Sequence, residues 1–476
     1  MKNLSVKVVF SSSLFLFLFL PVFLAAYFLA SKSLKNGTLL IFSLIFYTWG
    51  ENKLVILLLF STLVDFCSGL LITRGWKKTG LYLSIATNLG LLGFFKYSNF
   101  AFENFRSFLS LFDFHSTLLE IPHIALPIGI SFFTFQTMSY TIDVYRGNVK
   151  ACTNFFDFAA YVSMFPQLVA GPIVRYSVIA LELKNRRHDK GNLHSGIERF
   201  CIGLVKKVVV ANSMAAFADD VFSFDAHDLS SGIAWLGIFA YSLQIYFDFS
   251  GYSDMAIGLG RMMGFRFLEN FNYPYIARNI QDFWRRWHIS LSTWFRDYLY
   301  ISLGGNRISP IRTYINLIIV FFITGLWHGS SWNFVVWGLF HGLFLILERV
   351  GLSKILVRLH PIFQHMYLIL IVLVGWVFFR ADNLEYAMNY VIKMFSFSDG
   401  SAVAKSYITY FHYNTYTLLT MVVAIIFSSP ATSTLKKFLL ENGNYWVYYF
   451  LLFLAVMLSV AFISVDSYNP FIYFRF

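Results

Sequence analysis

Cysteine and charge are the scarcest features of this 476-residue chain, and each scarcity excludes a class of protein. The three cysteines, Cys67, Cys152 and Cys201, form no CxxC pair and two of them fall in apolar stretches, so neither a disulfide framework nor a zinc site is indicated. Charged residues make up 13% of the chain, against 57% hydrophobic and 20% aromatic residues, with a mean hydropathy of +0.61. A soluble domain of this length does not carry that balance. The chain also lacks an internal repeat, a low-complexity tract and a separable soluble domain. No metal site is expected.

What is present is lipid-soluble helix, repeated. A bilayer core about 30 Å thick needs roughly 20 apolar helical residues per crossing. Such stretches lie near 8–30, 37–49, 53–73, 79–95, 124–143, 197–217, 232–258, 312–328, 332–348, 365–381, 415–428 and 446–465. The first, "VVFSSSLFLFLFLPVFLAAYFLA", follows Lys2 and Lys7 as a secretion signal would, but its length and the spans behind it favour a retained anchor. The expected fold is therefore all-α: a polytopic membrane protein with about 11–12 transmembrane helices plus re-entrant and interfacial pieces, in one integral-membrane domain over 1–476.

Positively charged loops stay in the cytoplasm. "SKSLKN" (31–36), "RGWKK" (74–78) and "KNRRHDK" (184–190) are thus assigned inside, and "DDVFSFDAHD" (219–228), with four aspartates and no Lys or Arg, outside. An external N-terminus satisfies all four, provided that 155–173, "FFDFAAYVSMFPQLVAGPI", does not cross; Pro166, Gly171 and Pro172 make it a broken, re-entrant segment. The net charge of +12 then reflects topology and contact with anionic lipid, and no nucleic-acid partner is expected.

Three polar features interrupt the apolar pattern. In "NIQDFWRRWHISLSTW" (279–294), Gln281, Arg285, His288 and Ser292 share one face of a continuous helix while Phe283, Trp287 and Leu291 share another, which describes an amphipathic helix near the membrane surface. In "YFDFSGYSDMAIG" (246–258), Asp248 and Asp254 lie inside an expected crossing, where a carboxylate is either paired with a neighbouring helix or functional; six residues apart, they do not share a face. Finally, "TGLWHG" (324–329) ends an apolar helix on His328, with Gly325 and Gly329 leaving room for another backbone or a ligand. His341, in the apolar setting "LFHGLF", reads as structural.

Beyond a membrane protein with a polar, histidine-bearing interior, the residues carry a resemblance. "LPIGISFFTFQTMSYTIDVYRG" (126–147), "FPQLVAGPIVR" (165–175), "FDFSGYSDMAIGLGRMMGF" (247–265), "NIQDFWRRWHISLSTWFRDYLYISLGGNR" (279–307) and "TGLWHG" together resemble the membrane-bound O-acyltransferase family, and within it the bacterial alginate O-acetylase branch. The resemblance covers essentially the whole chain. It implies helices ringing a thinned centre, a bacterial inner-membrane location, and acyl transfer from a cytoplasmic donor to a hydroxyl reached from outside. It makes His328 catalytic and pairs it with His288.

The chemistry suits those residue types. A hydroxyl attacking an acetyl thioester must lose its proton, and a neutral imidazole with a pKa near 6.5 can take it at neutral pH. His328 is the candidate base, and His288 the group that positions the donor or steadies the oxyanion. No permanently bound cofactor is expected; the expected donor is acetyl-coenzyme A, with Arg285, Arg286 and Arg296 set against its phosphates or, equally, against lipid phosphates, and Trp284 or Trp287 against its adenine. Expected partners are membrane lipid, a polysaccharide acceptor (alginate-like or peptidoglycan), and a periplasmic or extracellular protein of the Ser-Gly-Asn-His hydrolase type. The competing reading is a proton-coupled transporter or flippase with a relay through His328, Asp248 and Asp254, but the repeated halves it calls for are missing.

Overall fold

The computed structural model describes residues 10–112, 124–412, 414–465 and 469–472, and all regular structure among them is helical. Among the described residues each of the twelve apolar stretches overlaps helix, though 124–129 lies outside regular structure ahead of Ile130–Arg146. Fewer are long and apolar enough to cross a membrane by themselves: among the described residues, six helices, or seven if the bent pair 402–410 and 415–427 counts as one span. Shorter helices make up the difference, such as Lys77–Leu92 and Ile130–Arg146 at 16 and 17 residues. Ser231–Met262 has ample length at 32 residues, but its polar content keeps it out of that set. Lys35–Glu51 and Val55–Thr73 make one apolar run, 35–73, interrupted at Asn52, whose φ of 49° is left-handed.

The chain divides into two compact units, 1–193 with 260–267, and 194–259 with 268–476. In the first, Asp65 is wholly buried and its carboxylate accepts from Asn88 Nδ2 at 2.7 Å, from Thr141 Oγ1 at 3.2 Å and from Ser84 Oγ. Three apolar helices thus close around a polar centre whose hydrogen bonds are all internal, as lipid surroundings require. The 155–173 segment is broken as its prolines suggest. Phe155–Ser163 stops at Met164, and the four-residue helix Phe165–Leu168 follows. A nine-residue helix reaches only about 14 Å, less than half a bilayer core.

In the second unit, two helix crossings set the architecture around the histidines. Lys190–Val205 meets Ser231–Met262 backbone to backbone, because a Cβ on Gly203 would lie 2.5 Å from the Gly251 carbonyl oxygen. The chain then enters a π-helical turn, Lys206–Ala211, which presents two consecutive lysines to the same long helix. Lys206 pairs with Asp254 and Lys207 with Asp248, at 2.7 and 2.6 Å. The second crossing joins Pro310–His328 to Trp332–Leu347, where a Cβ on Gly338 would overlap the Phe321 carbonyl oxygen and one on Gly325 that of Phe334. By contrast, Tyr445–Val465 buries only Ser459 and presents its apolar side chains outward, as lipid contact demands.

Lys207 and Asp248 have side chains only 3% and 2% exposed, so removing one partner strands a charge. Lys207→Met is expected to cost about 3–5 kcal/mol, and Lys207→Met with Asp248→Leu to recover most of it, in thermal unfolding of the detergent-solubilised protein. Equal melting of Lys207→Met and the native chain would show that the pair does not secure this unit.

Candidate active site

The local sequence explains why a histidine ends an apolar helix. Ser309 caps Pro310–His328 by accepting the Arg312 N–H at 3.2 Å, and Pro310 occupies the first turn, where a missing N–H costs nothing. The helix runs to His328 and stops as Gly329 turns extended, with Gly329 placed hard against the Phe334 ring. His328 is left 6% exposed, its ring 4.9 Å from those of Trp327 and Trp337 and 5.1 Å from that of Phe379. It forms part of the wall of a small cavity. The other lining residues are Ile245, Phe249, Trp287, Trp337, Trp376, Phe379 and Ile472, so His328 is the single titratable side chain among them.

His288 is brought close by a break in the chain. The region expected as one amphipathic helix is two, Ile280–Arg286 and Ile289–Trp294, with Trp287 extended and His288 left-handed at φ 43° and ψ 54°. That correction has an identifiable cause in Asn270. Its backbone carbonyl accepts the Ile289 N–H at 2.9 Å, and its side-chain oxygen accepts the Ser290 N–H at 3.2 Å and Ser290 Oγ at 2.9 Å. These bonds serve the start of the second helix better than continuation of the first. The break removes His288 from the arginine face and buries it to 1% exposure, with its ring 4.6 Å from that of Phe249 and 6.1 Å from that of Trp327. Trp327 therefore touches both histidines.

Asn270 also fixes the His288 tautomer. Because a backbone N–H can only donate, the Ser290 contact identifies the Asn270 side-chain oxygen, and His288 Nδ1–H must donate to it, at 3.1 Å. Burial pushes the imidazole down to about 3, so it is neutral and its Nε2 carries a lone pair. Nε2 has no hydrogen-bond partner among the described residues. Steadying an oxyanion would need an N–H at that nitrogen, whereas the arrangement supplies an acceptor.

The remaining expected residues are distributed as follows. Asp254 is held by Lys206 and by Arg199, whose Nη2 lies 2.7 Å away, and Asp248 by Lys207 and the Ile472 N–H at 2.8 Å. Arg286 pairs with Asp282 at 3.0 Å and Arg296 with Asp297 at 2.6 Å, while Arg285 is exposed. Trp287 is buried between Phe283, at 5.6 Å, and Trp376, at 4.9 Å; Trp284 packs on Trp337 and on His341, which is wholly buried. Both tryptophans thus lie against other aromatic rings of the interior. Sequence reasoning missed Asn270, whose role depends on a contact closed across eighteen residues. It also missed Lys206 and Lys207, although two lysines inside an expected crossing, like the two aspartates, were a visible signal.

Comparison with known proteins identifies the family. A family model described as the membrane-bound O-acyltransferase family matches residues 148–380. The chain is 42% identical to the probable alginate O-acetylase of Pseudomonas putida, over 98% of this chain and 100% of that protein. It is 47% identical to the probable alginate O-acetylase of Pseudomonas aeruginosa, over 82% and 75% respectively. It is also 36% identical to the peptidoglycan O-acetyltransferase of Helicobacter pylori, over 98% and 97%.

Asn270→Ala removes the acceptor that holds His288 Nδ1–H and is expected to lower acetyl transfer about tenfold or more, whereas Asn270→Asp, which keeps an oxygen there, should retain most of it. Polymer-bound acetyl ester, measured at matched protein level in the membrane, distinguishes them. Equal activity of the two variants would rule out tautomer control by this residue.

Proposed function

We propose that this chain, which belongs to the membrane-bound O-acyltransferase family, moves acetyl groups from cytoplasmic acetyl-coenzyme A toward hydroxyls of an extracytoplasmic polysaccharide, through a partner protein outside the membrane. It is an O-acyltransferase and a multi-pass protein of the bacterial inner membrane. The observation that carries the finer reading is a single titratable side chain, His328, on a cavity otherwise walled by aromatic and aliphatic groups. Such a wall suits a short acyl group and excludes the water that would hydrolyse it. The names of the relatives, alginate O-acetylase and peptidoglycan O-acetyltransferase, support acetyl as the acyl group and a sugar polymer as the destination.

The step assigned to His328 is proton transfer. The acceptor hydroxyl loses its proton to the imidazole as its oxygen bonds to the acetyl carbon; the carbon–sulfur bond breaks, and the thiolate leaves and takes the proton back. His288, neutral and presenting the Nε2 lone pair, holds a hydroxyl or donor N–H in line. Arg285 is exposed and forms no ion pair with a carboxylate among the described residues, and it is assigned to the donor's phosphates; Arg286 and Arg296, the latter also exposed, share their charge with Asp282 and Asp297. A proton relay through Asp248 and Asp254, as a transporter would use, is disfavoured because both carboxylates are committed to cations.

His328→Ala is expected to reduce acetyl ester on isolated exopolysaccharide and wall fractions by at least about a hundredfold while the protein still inserts. Full acetylation by that variant would sink the assignment, and comparison of the two fractions names the polymer. Sidedness offers a second measurement, in proteoliposomes of known orientation. Acetyl-coenzyme A should support transfer only from the face bearing 184–190, and the acceptor should work only from the face bearing 219–228. Transfer with both confined to one face would refute transfer across the membrane, and proton flux without acyl transfer would favour the transporter.

A further inference from the structure

One group of cations in the first unit has no carboxylate to meet it. Lys35 is the first residue of Lys35–Glu51 and only 8% exposed; its Nζ donates to the Tyr27 carbonyl at 2.8 Å and stands 4.4 Å from the Tyr27 ring centroid. Arg186, between the helices Tyr176–Lys184 and Lys190–Val205, donates from Nη1 to the Tyr27 hydroxyl at 2.7 Å and lies 4.6 Å from the Phe265 ring. The His188 ring packs on Tyr27 at 5.8 Å. Among the described residues, neither Lys35 nor Arg186 has a carboxylate within 4.0 Å. The acids nearby in sequence are engaged elsewhere. Glu182 accepts the Arg266 N–H at 3.0 Å, Asp189 accepts from Asn192, and Asp157 accepts from Asn36 at 2.6 Å.

Two further features point the same way. A lysine opening a 17-residue helix stands at the positive end of the helix dipole, and this helix has no side-chain cap on Leu34 and no acid in its first turn. Burial first, and then the charges of Lys35, Arg186 and Lys32, hold the His188 imidazole below its ordinary value, so three cations act on one ring. The aromatic faces of Tyr27 and Phe265 stabilise the cations in place but do not neutralise them.

We infer that Lys32, Lys35, Arg186 and His188 form a phosphate-binding site at the start of Lys35–Glu51. A phosphate oxygen there meets several donors and the uncapped helix terminus together. The phosphate belongs either to an anionic lipid headgroup or to a soluble phosphate-bearing molecule such as coenzyme A. The site stands apart from the acyl-transfer reading, since none of its residues lines the His328 cavity.

The test uses the full chain in phosphatidylcholine nanodiscs, alone and as the variant Lys32→Gln, Arg186→Gln, which replaces one exposed and one half-buried cation and leaves Lys35 to hold the fold. Phosphatidylglycerol retained through native mass spectrometry reads the lipid source, and calorimetric titration with coenzyme A reads the soluble one. A loss of about tenfold in one of the two, with thermal unfolding unchanged, supports the site and names its source. The same loss in the His328→Ala background separates it from any failure of acyl transfer. The proposal is overturned if the variant holds both probes as tightly as the native chain, or if the native chain holds neither.

Discussion

A charge brought among apolar helices has to be met inside the protein, and the second unit is organised around one such meeting, between Lys207 and Asp248. Each partner does more than neutralise the other. Lys207 also donates to the Pro470 carbonyl, and Asp248 also accepts the Ile472 N–H at 2.8 Å. The ion pair is thereby the clasp that fixes residues 470–472, and Ile472 forms part of the wall of the cavity that holds His328. A glycine-mediated crossing brings the lysines to the aspartates, and the π-helical turn at Lys206–Ala211 lets two adjacent residues answer two carboxylates six residues apart. Packing, electrostatics and cavity shape thus share a single dependence.

The histidines show two ways of placing a polar side chain in such surroundings. His328 is positioned by termination: a capped helix, a glycine crossing and an extended Gly329 deliver the last side chain to the cavity. His288 is positioned by interruption, in a left-handed conformation that costs a non-glycine residue roughly 1 kcal/mol or more. Asn270 offsets that cost with one carbonyl and one side-chain oxygen, and the same oxygen decides which imidazole nitrogen bears the proton. Acyl transfer from a thioester asks for little beyond this: one base, one held hydroxyl and a dry wall.

Much of this was legible in residue order. Apolar stretches marked the long apolar helices, because a bilayer imposes a length and a composition on whatever crosses it, while shorter helices such as Tyr176–Lys184 and Leu384–Phe395 lay outside them. "TGLWHG" marked a histidine at a helix end with small neighbours, and "FPQLVAGPI" marked a break, because proline and glycine act on their own backbone. The amphipathic reading of 279–294 failed for a physical reason: helical spacing assumes continuity, and the hydrogen bonds from Asn270 make the break at His288 more favourable than continuation.

The sequence by itself determined the solvent, the class of fold and the chemistry available, since these follow from composition, periodicity and residue type. Tertiary structure alone decided which groups meet. Asp248 and Asp254 were conspicuous as buried acids, but only the helix crossing assigned Lys207 to one and Lys206 with Arg199 to the other. Trp287 stood next to the arginines in sequence and went to the cavity wall, while Arg285 remained exposed. Whether a histidine presents a proton or a lone pair depends on a partner eighteen residues away, and no local pattern encodes a contact that exists only after the chain has closed on itself.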